Sequence, residues 1–199
     1  MYFFHQQIPV TLLLAVLSTT CVADVVNSGF DVYSAAQVMI DKSSHSWEWG
    51  TTAEALLELY NNEFSVFASN PFPNGKIPSV SDNILALSYA KQFISTDLQT
   101  LVPDSAVGDP ASLGVSAILL GTSDSKYTRA AQRQADYILN QAPRWSNGAI
   151  SHRSDVAEIW ADNMAMSFPF CKSHRRFTPM LLFNYSVLEH IKSNVCEIV

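Results

Sequence analysis

Apolar residues in this chain return every three or four positions and rarely every two, and that spacing limits what it can fold into more than any other feature. Ala53, Leu56, Leu57, Tyr60 and Phe64 fall on one face of a 3.6-residue turn, so the stripe buries itself as an α-helix and not as a strand. Thr51 and Glu54 stand at its start at the spacing of a capping box, in which two side chains satisfy free amides of the first turn. Further helices are expected over 82–94, 109–120, 125–142, 155–166 and 178–193. Between them Asn70-Pro71-Phe72-Pro73-Asn74-Gly75, Val102-Pro103-Asp104 and Ser146-Asn147-Gly148 carry turn chemistry. No β-branched run is long enough to build a sheet, and no internal repeat specifies a solenoid. The expected class is all-α, built of αα-hairpins.

Residues 1–23 contain no acidic side chain, carry an apolar run from Val10 to Leu17, and end in Cys21-Val22-Ala23. They read as a signal peptide: the run is too short to span a bilayer, and small residues precede the expected cut. Positive charge ahead of the run comes only from His5 and the amino terminus. No later segment approaches the roughly 18 apolar residues a membrane helix needs. The expectation is therefore a secreted, extracellular chain over 24–199, one domain with no membrane association after cleavage. At this size about two-thirds of the unfolded surface can be buried.

The formal net charge of -6 argues against nucleic acid, which demands clustered Lys and Arg. Lys172, His174, Arg175 and Arg176 form a short basic tract, read as a solvated loop. Cys21 leaves with the signal, so Cys171 and Cys196 remain as a candidate disulfide pair. Asn184-Tyr185-Ser186 is a glycosylation sequon inside an apolar helical pattern.

Chemistry concentrates between Asn147 and Asp162. Asp155, Glu158 and Asp162 are spaced three and four apart, which on a helix puts three like charges on one face and raises the pKa of a carboxyl among them. A raised pKa suits a general acid. Asp155 and Glu158 also fit a capping box, whereas Asp162 lies too deep in the expected helix to cap it. Trp160 is either core or a platform for a sugar ring, and Trp47 and Trp49, which flank Glu48, share that ambiguity. His152 beside Arg153 is either structural or suited to an anionic group. Asp109 followed by Pro110 fits a helix N-cap with proline in the first turn. No metal-ligand spacing, Gly-rich phosphate loop or Ser-His-Asp order occurs, so no metal or cofactor is expected.

Gly148-Ala149-Ile150-Ser151-His152-Arg153 followed by Glu158-Ile159-Trp160-Ala161-Asp162 resembles the unsaturated rhamnogalacturonyl hydrolases and the related unsaturated glucuronyl hydrolases, glycoside hydrolase families 105 and 88. The resemblance extends to the segment from Trp47 to Tyr60 and to Asp109-Pro110-Ala111-Ser112-Leu113-Gly114. It implies an (α/α)6 six-hairpin barrel acting on oligosaccharides that end in a 4,5-unsaturated uronic acid, such as lyase-cut pectin. It further implies that Asp162 is the acid and base that hydrates the double bond, with Asp109 a second acidic position. By the same resemblance His152 and Trp160 contact substrate. Arg153, Trp47 and Trp49 are added as binding residues from their own chemistry.

The stretch after Asp162 departs from the family pattern, and the chain supplies about half of the barrel's helices. An incomplete barrel is expected, with an open apolar face suited to self-association. The alternative is a truncated, non-catalytic relative that binds carbohydrate through its tryptophans. Produced through a secretory pathway, the mature protein is expected to begin at Asp24 when its amino terminus is sequenced; a chain still beginning at Met1 would refute the signal assignment.

Overall fold

The structure is a computed structural model that describes residues 28–177, with side chains described as far as His174. Residues 1–23, the helix expected over 178–193, the sequon at Asn184 and Cys196 lie outside the described residues. The chain divides between Asp31 and Val32, and the second unit carries everything that follows.

Among the described residues the protein is all-α. The helices are α1 (Val32–Lys42), α2 (Ser46–Tyr60), α3 (Leu85–Ala90), α4 (Gly108–Ala111), α5 (Gly114–Gly121), α6 (Ser125–Asn140) and α7 (Asn163–Phe177), with 3-10 turns at Asn62–Phe64 and Pro73–Gly75. Short links return α2 onto α1 and α6 onto α5, as in αα-hairpins. None of these helices is long and apolar enough to cross a membrane. Extended pairing among the described residues is limited to two isolated bridges, Ala106 with Arg153 and Arg144 with Ile150.

The core is centred on α5. Every residue from Gly114 to Leu120 is buried, which requires neighbours on all sides, and α2, α3, α6 and α7 supply them. Each fully buried leucine or isoleucine contributes about 1.5–3 kcal/mol. α6 presents Tyr127, Ala130, Ala131, Gln134, Ala135 and Ile138 to the interior. The Asp124 side chain starts it by accepting from the Lys126 amide at 3.0 Å. Arg144 closes it, donating to the carbonyls of Ile138 and Leu139 at 3.1 and 2.6 Å. Two seams admit no side chain. A Cβ at Gly50 would lie 1.9 Å from Ser112 Oγ, and one at Gly114 would lie 2.2 Å from the Phe170 ring. These glycines bring α2 against the end of α4, and α5 against α7.

Several expected boundaries move. α2 begins at Ser46, ahead of Thr51, and Glu48 performs the capping that Glu54 was expected to share. Its carboxylate accepts from the amides of Ser44 and His45 at 2.6 and 2.9 Å, which lowers its pKa from 4.5 to about 2. Thr51 instead donates to the Trp47 carbonyl. The helix expected over 82–94 contracts to Leu85–Ala90. That over 109–120 breaks between α4 and α5, where the Ser112 hydroxyl donates back to the Asp109 carbonyl at 2.6 Å. The residue capping α4 is Val107, and Asp109 lies inside its first turn.

The basic tract after Cys171 belongs to α7, not to a loop. Lys172 lies 5.7 Å from the centre of the Phe72 ring, and His174 is buried with Nε2 3.1 Å from Gln132 Oε1. Cys171 is buried with no disulfide partner among the described residues, and burial pushes its thiol pKa up to about 12.

Glu54 takes a hydrogen bond from Ser65 Oγ at 2.6 Å, and burial above all, with Glu58 adding to it, raises its pKa above the ordinary 4.5. Folding thus favours its protonated form: the stabilisation is complete below the unfolded value of 4.5 and is lost as pH rises through the folded one. Glu54→Gln keeps the acceptor for Ser65 and removes the buried charge. Thermal melts should show this variant more stable than the parent near neutral pH, with the advantage vanishing below pH 4.5.

Candidate active site

The site is assembled by two loops, one of which the sequence spacing reads as helix from Asp155 onward. Residues 151–162 do not continue a helical stripe, because the buried hydroxyl of Ser151 gathers the chain around itself. Ser151 Oγ accepts from the amides of Arg153 and Glu158 at 3.0 and 2.9 Å and donates to the Val156 carbonyl at 2.7 Å. The His152 amide then donates to the Glu158 carbonyl at 2.8 Å. Backbone groups that a helix would pair four residues apart are taken up here, and α7 starts only at Asn163. Only the last four residues of the helix expected over 155–166 are helical, as the start of α7; the shared face of Asp155, Glu158 and Asp162 and the capping box of Asp155 with Glu158 are replaced by this loop.

A second loop is laced to the first. The Val107 amide donates to the His152 carbonyl at 2.6 Å, and the Ser154 amide to the Ser105 carbonyl at 3.0 Å. Ser154 Oγ reaches the same Ser105 carbonyl at 2.6 Å. Asp104 holds this strip in place, accepting from the Ala106 amide at 2.9 Å and from the Ser46 hydroxyl at the start of α2. The lacing carries Asp109 up to His152.

His152 is the hub. It is 5% exposed. Its Nε2 stands 3.4 Å from Asp109 Oδ1 and its Nδ1 3.6 Å from Asp162 Oδ1, while the Trp160 indole lies nearly parallel to the ring, 10° apart at 4.7 Å. Four of the expected residues, Asp109, His152, Trp160 and Asp162, therefore meet. Trp160 is no core indole: it is 47% exposed, so it offers an aromatic surface beside the two carboxylates.

Spacing assigned the sheltered carboxyl to Asp162, but the structure assigns it to Asp109. The side chain of Asp162 is 44% exposed and that of Asp109 only 15%. Burial raises the Asp109 pKa above 3.8; Asp104 and Asp162 push the same way, and His152 opposes them. Its Oδ1 and His152 Nδ1 are buried and make no hydrogen bond among the described residues. A sheltered carboxyl with a raised pKa, an imidazole, an accessible carboxyl and an aromatic platform are groups that can bind a sugar and move protons.

The remaining expected residues are not brought into this cluster. Arg153 makes a bidentate pair with Asp155 at 2.9 and 2.7 Å and sits 3.8 Å from Glu158, so those acids neutralise it and are not gathered around Asp162. Trp49 stacks face to face on Phe93 at 4.4 Å and donates to the Ser43 carbonyl, which makes it a packing residue. Trp47, 43% exposed, lines a groove of about 300 Å³ with Val38, Met39 and Lys42. His45, beside Trp47, acts electrostatically on Asp109. Neither His45 nor Asp104 stands out in sequence, since each acts on Asp109 only through space, across a separation in the chain that spacing does not encode.

No protein-family model matches the chain, and no solved structure matches it. Among curated proteins it is similar to the unsaturated rhamnogalacturonyl hydrolase YesR of Bacillus subtilis (strain 168), 26% identical over 95 residues. That match covers 44% of this chain and 27% of the relative.

The stack of Trp160 on His152 gives a direct check on the site. A ring lying over the imidazole shields its protons. Trp160→Ala is therefore expected to move the His152 ring resonances downfield in the proton NMR spectrum while leaving helical circular dichroism unchanged; unmoved resonances would contradict the stacked geometry.

Proposed function

We propose that the chain is the catalytic part of a secreted glycoside hydrolase, one that removes 4,5-unsaturated uronosyl residues from lyase-cut pectic oligosaccharides. The observation that carries this reading is the meeting of Asp109 from α4 with His152, Trp160 and Asp162 from the 151–162 loop at one partly exposed place. The similarity to YesR supports the substrate class, and the helical hairpins are compatible with part of a six-hairpin barrel.

In this reading Asp162, the accessible carboxyl, donates a proton to C4 of the double bond. As positive charge develops at C5, the resulting carboxylate takes a proton from water and the hydroxyl adds at C5, so that water has crossed the C4=C5 bond and Asp162 is again protonated. The hydrated ring then opens and releases the aglycone. This differs from displacement at the anomeric carbon by paired carboxylates. His152, held between Asp109 and Asp162, orients both carboxyls. The exposed face of Trp160 stacks on the sugar.

Loss of ultraviolet absorbance from an unsaturated rhamnogalacturonan disaccharide measures this reaction. Purified protein is expected to bleach it, and Asp162→Asn to do so about 10²- to 10⁴-fold more slowly, the usual contribution of a general acid. Equal rates in parent and variant would overturn the mechanism. Binding by calorimetry with no bleaching would point to the non-catalytic alternative.

A further inference from the structure

Asn163 follows Asp162 directly, yet its side chain turns into the protein. It is 5% exposed, and its Oδ1 accepts from Ser167 Oγ at 2.5 Å, one turn along α7, where Ser167 is fully buried. Facing this pair across the seam between α7 and α4 is Gly108, the residue before Asp109. A Cβ at Gly108 would stand 2.6 Å from Asn163 Oδ1 and 3.1 Å from His152 Nδ1. Space, not backbone conformation, demands glycine here: real Cβ atoms essentially never approach within 3.0 Å, and the amide facing this one is pinned by its own hydrogen bond.

We infer that Gly108, Asn163 and Ser167 are positioning residues, a clamp that sets the separation of Asp109 and Asp162 on either side of His152. Each carboxyl is one peptide bond from a member of the clamp, Asp109 after Gly108 and Asp162 before Asn163. A shift in the α4–α7 seam therefore reaches both acids at once. The Ser167 bond fixes the Asn163 amide so that the missing Cβ of Gly108 is matched by the amide oxygen and by the imidazole. Displacements of about 1 Å at such groups cost on the order of 100-fold in rate, so the clamp acts through the acids without touching substrate. This role rests on the hydrolase reading above for its effect on turnover, but not for its effect on geometry.

Three variants of the full chain test it. Gly108→Ala is expected to lower kcat on the unsaturated disaccharide about 10- to 100-fold, with KM changed by less than about threefold. Gly108→Ala should slow the Asn163→Ala variant less than it slows the parent, because the nearer of the two groups that its Cβ meets is gone. Ser167→Ala introduces no clash and preserves helix formation, so it serves if Gly108→Ala does not fold; it should lower kcat several-fold while circular dichroism stays unchanged. The His152 ring resonances, recorded without substrate, should shift in Gly108→Ala and in Ser167→Ala. If the parent protein proves unable to bleach the disaccharide, those resonances alone decide: shifted signals uphold the clamp although the hydrolase reading has failed. Lowered melting temperatures with parental kcat and unmoved His152 signals would reduce the three residues to packing and overturn the inference.

Discussion

Everything else in the described structure depends on keeping α5 away from water. A helix buried along its whole length from Gly114 to Leu120 has no solvent face, so the other helices must enclose it, and their own amphipathic stripes follow from that duty. α6 does so with small residues on one face, Ala130, Ala131 and Ala135. α7 does so through Phe170, whose ring lies where Gly114 would otherwise carry a Cβ. The cost of this arrangement is steric: at Gly50, Gly108 and Gly114 a side chain would overlap its neighbour, and overpacking of that kind destabilises by about 1–3 kcal/mol or more.

The candidate site is a consequence of the same packing. With α4 packed against α2 and α7, and α7 against α5, the loops at 104–107 and 151–162 pass beside each other and exchange backbone hydrogen bonds. His152 is buried by that exchange, and Asp109 is partly buried with it. Shelter from water is the leading cause of the raised Asp109 pKa, ahead of any neighbouring charge. Asp162, at the edge where α7 begins, stays accessible. One carboxyl is thus shaped by desolvation and the other left open, two environments within reach of one imidazole.

The helical class was legible because apolar period is a local property, and α2 and α6 run close to where their stripes predict. The boundaries were less so. Glu54 looked like a capping partner because the spacing to Thr51 is right, but the chain had another acid, Glu48, at the same spacing from His45. The acidic triplet Asp155, Glu158 and Asp162 was the most misleading pattern. Its helical spacing is real in sequence, yet Ser151 offers the backbone better partners than a helix would, and Arg153 draws the first two acids aside.

By itself the sequence determined the class of element, the place in the chain where the chemistry gathers, and four residues of the cluster. The class of element is written in short-range spacing, whereas the grouping of Asp109, His152, Trp160 and Asp162 came from the family resemblance of their motifs. Which carboxyl is sheltered, which indole is free to stack, and which glycine holds the two acids apart were decided only by the tertiary structure. Burial and close approach are properties of segments distant in the chain: Gly108 meets Asn163 and His152 only once α4 is pressed against α7, and no local pattern records that contact.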